Sequence, residues 1–334
     1  MKQLVTVTPM ELRFENVDMP EVSGGSEVLV KIKAAGICGS DVHIYHGTSP
    51  VATYPRVMGH EMVGVVDKVG ADVTKVRPGD RVIVDQIISC GACYPCSIGR
   101  PNVCLGLKVR GVHIDGGYRE YITADEDSLY ILPEHLSFSD AVMIEPMSIA
   151  FQAVSRAKVV ASDTVLVLGA GALGKSLIKA LLLTDAELIV ADVAEQRLEE
   201  ARALGVRHCV NTSETGLAQA LGGKLPTVSI DAAGFPESLA LLADITCNAG
   251  RVVTMSFLKD LSEIAQFKIT SKELDIIGSR LQNGKFKEVL DGINGGLIDV
   301  TGQVSHEIPF ERAKEAFEMI DRKDPSVKKV VLVY

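Results

Sequence analysis

Val165-Leu-Val-Leu168 runs straight into Gly169-Ala-Gly171-Ala172-Leu173-Gly174, and the residues after Gly174 read as a helix. Four apolar residues form a buried strand, and the three glycines mark a turn that opens the helix. Gly169 permits the tight turn, Gly171 lets the backbone approach a pyrophosphate, and Gly174 allows close packing of helix on strand. Ala172 and Leu173 lie inside that turn. The helix N-terminus then offers unpaired N–H groups and the positive end of its dipole to phosphate oxygens. A GxGxxG alone is weak evidence, but a strand before it and a helix after it are the context it requires. The next apolar run, Leu188–Ala191, leads to Asp192, about 20 residues on, where an acid is expected to meet the ribose. A carboxylate there accepts hydrogen bonds from both ribose hydroxyls and repels a 2′-phosphate, which predicts NAD over NADP. Arg197, one turn into the following helix, either approaches the adenine or is a solvated helix residue.

Working outward, apolar strands recur at Val228–Ala232, Arg251–Met255 and Asp275–Ile277, and helices are expected at Ala172–Leu183 and Glu195–Leu204. Apolar strands alternating with helices predict an α/β fold, a parallel sheet doubly wound by helices on both faces. Met255, Ser256 and Phe257, after a strand of the second half, are expected to line the nicotinamide end. Upstream of Phe151 the pattern differs. Val28–Ala34, Met62–Val69, Arg81–Val84 and Tyr118–Ile122 are short β-type segments broken by Gly and Pro, as in a compact β-rich barrel. The tail offers a helix at Glu311–Asp321 and a last strand at Lys329–Val333. With no repeat and no flexible linker, the domains are expected to pack around a cleft.

Cys90, Cys93, Cys96 and Cys104 are spaced C-x2-C-x2-C-x7-C. Four thiolates this close suit one tetrahedral zinc with no position left open, a structural rather than a catalytic site. Two disulfides, or thiols packed as small apolar groups, are the alternatives, and both suit this chain poorly. A second group is scattered. Gly36-Ile-Cys38-Gly-Ser40-Asp-Val-His43 carries a thiol, a hydroxyl and an imidazole, Gly59-His60-Glu61 an imidazole beside a carboxylate, and Glu145-Pro146 another carboxylate. Each fragment is weak by itself.

The bulk composition narrows the classes. The 334 residues are 47% apolar and 23% charged, with no Trp and a formal charge of −9. An acidic chain is a poor partner for nucleic acid or anionic lipid. Met1–Val7 holds one lysine and no apolar stretch of signal-peptide length, and no run approaches the roughly 20 apolar residues of a membrane span. An odd number of cysteines, four of them in a metal-like cluster, predicts a reducing, cytoplasmic setting.

Taken together and in order, Gly59-His60-Glu61-x2-Gly64, Gly79-Asp-Arg-Val82, the four-cysteine lobe, Glu145-Pro146 and the glycine loop resemble the zinc-dependent medium-chain dehydrogenases, over essentially the full length. Glu145 stands where simple alcohol dehydrogenases of that family carry a ligand cysteine, so the chain looks more like the sorbitol and threonine dehydrogenases. Cys90–Cys104, Tyr54-Pro-Arg-Val57 and Gly111-Val-His-Ile-Asp-Gly-Gly117 look similar to bacterial dehydrogenases of sugar acids such as L-gulonate and L-galactonate. The resemblance implies a GroES-like catalytic domain at 1–150 with the structural-zinc lobe, a Rossmann NAD-binding domain at 151–284, and a return to the catalytic domain at 285–334. It also implies two zinc ions per chain. Cys38 and His60 would bind the catalytic one, with Glu61 or Glu145 as third ligand. Ser40 would hydrogen-bond the substrate oxygen and His43 would pass the proton to solvent. Two departures are small: Ala172-Leu173 replaces the commoner Pro-Ile, and Lys175 follows Gly174.

The implied activity is reversible, NAD-linked oxidation of a secondary alcohol on a small-molecule sugar acid, by a homodimer or homotetramer. A neutral polyol or L-threonine is the alternative substrate, and a non-catalytic NAD-binding regulator the alternative from another class. Arg110, His113 and Arg280 are candidate groups for a substrate carboxylate, since a guanidinium binds one through two parallel hydrogen bonds. Arg110 could instead pair with a surface acid, and Arg280 could serve the cofactor.

Overall fold

A computed structural model describes residues 1–334 except 214 and 325. The chain divides into two compact units, Met1–Glu145 with Phe286–Tyr334, and Pro146–Lys285.

The first unit is built on a seven-stranded sheet. Its centre is β1 (Glu27–Gly36), followed by a short helix α1 (Gly39–Tyr45), then β2 (Glu61–Val69) and β3 (Arg81–Val84). The sheet runs Leu129–Ile131, β3, β2, β1, Val330–Val333, His306–Pro309, and Tyr121–Asp125 also pairs with β1. The tail of the chain thus supplies a strand directly beside β1. Because β1 has neighbours on both edges, its Val28, Val30 and Ile32 are fully buried, packed with Met62, Val66, Val82 and Phe317. A separate antiparallel pair, Lys2–Thr8 with Glu11–Asn16, extends to Arg56–Val57. The charged second member of that pair hides it from a search for apolar runs. The strand expected at Tyr118–Ile122 lies at Tyr121–Asp125 instead. Tyr118 is a fully buried core residue, and its backbone N–H donates to Met58 O at 2.9 Å.

Helix α2 (Ile144–Ala157) carries Glu145 in its first turn. The second unit then follows the order β4 (Thr164–Leu168), α3 (Ala172–Leu181), β5 (Glu187–Asp192), α4 (Glu195–Ala203), β6 (His208–Asn211), β7 (Val228–Asp231), β8 (Arg251–Thr254) and β9 (Asp275–Gly278). The strands form one parallel sheet, β6-β5-β4-β7-β8-β9. Side chains of β4 alternate between faces. Val165 and Val167 join Leu177 and Leu181 in one core, while Leu166 and Leu168 join Leu242 and Leu217 in another. Strand order reverses between β4 and β7, and ligands of such sheets bind beyond the carboxyl ends of the strands at that point.

Candidate active site and metal centres

Cys38, His60 and Glu61 come together because β1 and β2 pair antiparallel with Gly36 opposite Glu61. Cys38 lies just past the end of β1, and His60 just before the start of β2. Their ligand atoms lie within 4.8 Å of one another, and His60 and Glu61 are buried. Three such donors, thiolate, imidazole and carboxylate, fit a zinc with one position left open. Glu145 lies outside that set. It is buried, and its Oε1 accepts a hydrogen bond of 2.6 Å from Gln86 Nε2. Burial pushes its carboxyl up to about 8, with His60 opposing and Glu61 reinforcing the shift. Ser40 Oγ is 3.4 Å from His60 Nε2. His43 is exposed on the same face of α1, one turn on, and its Nδ1 is 2.8 Å from Thr48 Oγ1.

Three residues that no motif singled out support this group. Asp41, fully buried, lies 3.5 Å from His60 Nδ1. It also accepts from Cys38 N–H at 2.9 Å, Gly59 N–H at 3.3 Å and Tyr118 O–H at 3.1 Å. A carboxylate behind the far ring nitrogen fixes the tautomer of a metal-binding histidine and strengthens it as a ligand. Burial opposes positive charge on His60, yet Asp41 and then Cys38 outweigh it and hold the imidazole well above its ordinary pKa. Asp41 had a legible signal, since an acid three residues after the residue that starts a helix forms a capping box. Gln86 and Lys329, whose ammonium pairs with Glu61, had none.

The four cysteines form a separate cluster in the same unit. Their sulfurs approach at 3.4 Å (Cys93–Cys96), 3.7 Å (Cys93–Cys104) and 3.4 Å (Cys90–Cys104), and all four thiols are free. A disulfide needs about 2.05 Å. Sulfurs about 2.3 Å from one tetrahedral zinc stand about 3.8 Å apart, which is close to what is found. The N–H groups of Leu105 and Gly106 point at Cys93 and Cys104 sulfurs, as thiolates require. Such N–H contacts, from Leu105 and Cys96, draw the Cys93 thiol down to about 6. Burial pushes Cys96 up to about 11, so a cation is needed for all four to ionise together.

In the second unit the glycine loop makes the expected cradle. Gly169 has φ +98° and a Cβ on Gly174 would stand 2.1 Å from Gly169 O, so neither position accepts a side chain without displacement. Around Gly171 there is open space, which leaves its backbone approachable. Asp192 ends β5 beside this loop, its Oδ2 accepting from Ala170 N–H at 2.7 Å and its Oδ1 from Ala194 N–H at 2.9 Å. Arg197 leans on Asp192 at 3.6 Å, and Lys175 pairs with Glu200 on α4. The cradle fits a dinucleotide pyrophosphate. Met255, Ser256 and Phe257 follow β8, and Arg280, just past β9, places its guanidinium 5.2 Å over the Phe257 ring. Both segments leave the carboxyl ends of neighbouring strands. In the first unit, Arg110 is partly buried, its backbone N–H donates to Gln86 O, and His113 Nδ1 accepts from Val109 N–H at 3.1 Å.

A GroES-like β unit joined in sequence to a doubly wound parallel sheet, with one closed and one open metal set, defines a zinc-type alcohol or polyol dehydrogenase fold. Residues 24–134 match the family model of the alcohol dehydrogenase GroES-like domain, and residues 172–294 that of the zinc-binding dehydrogenases. The chain belongs to the zinc-dependent medium-chain dehydrogenase/reductase family. It is 41% identical to the starvation-sensing protein RspB of Escherichia coli K12, over 100% of this chain and 99% of that protein. It is 31% identical to the L-galactonate-5-dehydrogenase of the same organism, over 95% and 94% of the two chains. The crystal structure of RspB from E. coli CFT073 with NADH superposes with a TM-score of 0.95, at 41% identity, covering 100% of this chain and 99% of that one.

The two metal sets predict two zinc ions per chain, and they separate by substitution. Cys104→Ser should lose one zinc and lower the melting temperature, because a closed site contributes directly to folding. His60→Ala should lose the other zinc and all turnover while the fold survives and the four-cysteine zinc stays bound; metal analysis beside thermal melts reads both. Asp41→Asn should weaken retention of the second zinc about 10–100-fold, measured against a competing chelator. Asp192→Ser should raise KM for NAD and narrow the gap to NADP, and a wild-type kcat/KM higher with NADP would overturn the ribose assignment.

Proposed function

We propose that this protein reversibly oxidises a secondary alcohol of a hexonate-type sugar acid to the ketone, using zinc and NAD. The observation that carries this reading is the Cys38, His60 and Glu61 set, half-buried at the thiol and buried at the other two, with an exposed hydroxyl, Ser40, at its edge. Residues 1–150 with 285–334 act as the catalytic domain, and 151–284 as the nucleotide domain. Cys38, His60 and Glu61 would hold the catalytic zinc, and Cys90, Cys93, Cys96 and Cys104 the structural one. Bound there, zinc supplies Lewis acidity to the substrate hydroxyl and NAD supplies the acceptor for its hydride. The chain does the rest. Asp41 keeps the His60 ring in one orientation through Nδ1. Ser40 would hydrogen-bond the substrate hydroxyl and release its own proton as it takes the one the alcohol gives up, and His43, on the same helix face and open to water, would pass that proton outward. Glu145, hydrogen-bonded to Gln86, is the alternative third ligand. Gly169, Gly171 and Gly174 seat the pyrophosphate, Asp192 the adenosine ribose, and Met255, Ser256 and Phe257 the nicotinamide.

For the substrate, two relatives support an acid. L-galactonate-5-dehydrogenase and 2-dehydro-3-deoxy-L-galactonate 5-dehydrogenase are 31% and 29% identical to this chain. Arg110, His113 and Arg280 are the groups proposed to meet the carboxylate. Arg110 stays cationic although burial, and then Arg119, lower its pKa, because a guanidinium does not give up its proton in a protein. Among the described residues no helix is long and apolar enough to cross a membrane. Seven free thiols suit a reducing, cytoplasmic setting. A homodimer or homotetramer is supported by β9, an edge strand of its sheet with Ile276 exposed, since such edges invite pairing with a second copy.

A panel of hexonates, polyols and amino alcohols, read as NADH absorbance, tests the reading. Hexonates should give the highest kcat/KM. Loss of a charge-assisted contact costs about 1.5–3 kcal/mol, roughly ten- to a hundred-fold. At least one of Arg110→Ala, His113→Ala and Arg280→Ala should therefore harm hexonate oxidation by that much and spare the matching polyol. A wild-type preference for sorbitol or threonine over every hexonate sinks the substrate assignment, and no turnover with any alcohol favours the regulatory alternative.

A further inference from the structure

The loop that carries Arg110 is fixed from several sides. Arg110 N–H donates to Gln86 O at 2.9 Å, and Gly111 N–H to Ile114 O at 2.8 Å. A Cβ on Gly111 would stand 2.8 Å from Gly59 O, so the loop lies directly against the residue before His60. Ile87 pairs with Val109 and Ile88 with Lys108, and the same register continued sets Gln86 opposite Arg110. Residues opposed in an antiparallel pair send their side chains to one face. On that face the Gln86 amide reaches the Glu145 carboxyl. The backbone thus holds a guanidinium beside Gln86, in the same unit as the metal set.

Arg110 has nothing to hold. Among the described residues no acceptor or acid meets its guanidinium, and its Nε is buried without a partner. Other arginines of similar burial in this unit are engaged. Arg56 pairs with Asp115 at 3.1 Å and Arg119 with the same carboxylate at 2.8 Å, while Arg81 donates to Pro133 O at 3.2 Å and Glu134 O at 2.6 Å. Burial and then the Arg119 guanidinium disfavour charge on Arg110. Asp85, an acid whose field reaches it, accepts instead from Ile87 N–H at 2.9 Å. Buried donors are nearly always satisfied, so an unmet guanidinium marks a place for an acceptor that the chain itself lacks. The other two groups named for the carboxylate are occupied: His113 Nδ1 accepts from Val109 N–H within its own turn, and the Arg280 guanidinium lies over the Phe257 ring.

We propose that Arg110, rather than His113 or Arg280, is the specificity-determining residue: it binds the substrate carboxylate, and its lack of a partner in the free protein rejects neutral polyols. The proposal rests on the reading of the substrate as a sugar acid. A carboxylate takes two parallel hydrogen bonds from the guanidinium and neutralises it. The CH2OH group of the matching polyol offers a single acceptor and no charge, so the guanidinium would be covered without a counterion. A site with a buried group that must be paired discriminates more sharply than an apolar pocket does.

The test is calorimetric titration of the zinc-loaded, full-length protein in its NADH complex, which cannot oxidise an alcohol, with L-galactonate and with galactitol. The two ligands differ only in carboxylate against CH2OH. Arg110→Met should weaken L-galactonate binding about 10–100-fold, the loss typical of a charge-assisted contact, and should not weaken galactitol binding. Arg110→Lys should recover part of the affinity, since it keeps the charge but not the two parallel bonds. Arg280→Met should weaken L-galactonate by less than about threefold, below the loss of a charge-assisted contact. The melting temperature of Arg110→Met should hold or rise, because an unpaired buried charge stabilises nothing. Zinc kept by the four cysteines shows that each variant is folded, and if Arg110→Met fails that check, Arg110→Gln carries the same binding expectations. L-galactonate bound equally by wild type and folded variant, both ligands weakened alike, or a larger loss with Arg280→Met overturns the proposal while the acid reading stands. A wild type that binds galactitol at least as tightly as L-galactonate removes the acid reading itself, and the proposal with it.

Discussion

The antiparallel register that sets Gly36 opposite Glu61 is the constraint on which the metal centre depends. Cys38 leaves the end of one strand and His60 enters the start of the next, so a single pairing brings together ligands that are far apart in the chain. A slip of one residue would turn Glu61 to the other face of the sheet and scatter the set. The register is held by what lies on either side. Val28, Val30 and Ile32 bury the central strand, and the tail strand Val330–Val333 closes its other edge. The return of the tail to the first unit thus closes the sheet and also brings Lys329 to Glu61.

Charge burial is the second theme. Asp41, His60, Glu61, Glu145 and Lys329 are all buried in one region. An isolated buried charge is costly, and breaking a buried pair costs about 3–5 kcal/mol. Each of these groups accordingly has a partner: Asp41 has three donors and His60, Glu61 has Lys329, and Glu145 has the Gln86 amide. Such a network is poor economy for stability alone, which an apolar core would serve better. It makes sense where a dication and an ionising alcohol must be accommodated out of bulk water.

The nucleotide unit obeys a different logic. What its glycine loop offers a dinucleotide is backbone rather than charged side chains. The glycine loop clears space, α3 presents its N-terminus, and Asp192 is tethered to Ala170 and Ala194 before any ligand arrives. Lys175, the one cation within the loop and first turn, is drawn off to Glu200. Such a loop is pre-organised, with the carboxylate at the end of β5 fixed beside it.

Local spacing made much of this legible. GxGxxG between an apolar run and a helix, and four cysteines within residues 90–104, are short-range patterns whose geometry follows from the backbone itself. The strands of the parallel sheet were legible for the same reason, being buried on both faces and therefore continuously apolar. Asp41 was written in a capping pattern, and Lys2–Thr8 with Glu11–Asn16 was hidden because a half-exposed pair carries charges. What only the tertiary structure decided is long-range. Nothing near Lys329 in sequence marks it as the partner of Glu61, and nothing near Gln86 marks it as the donor to Glu145. Those contacts arise from strand order, which joins residues from opposite ends of the chain. The sequence by itself determined which chemistries were present; the folded sheet decided which carboxylate lies with Cys38 and His60 and which cation pairs with it, because burial and register act over distances that no local motif spans.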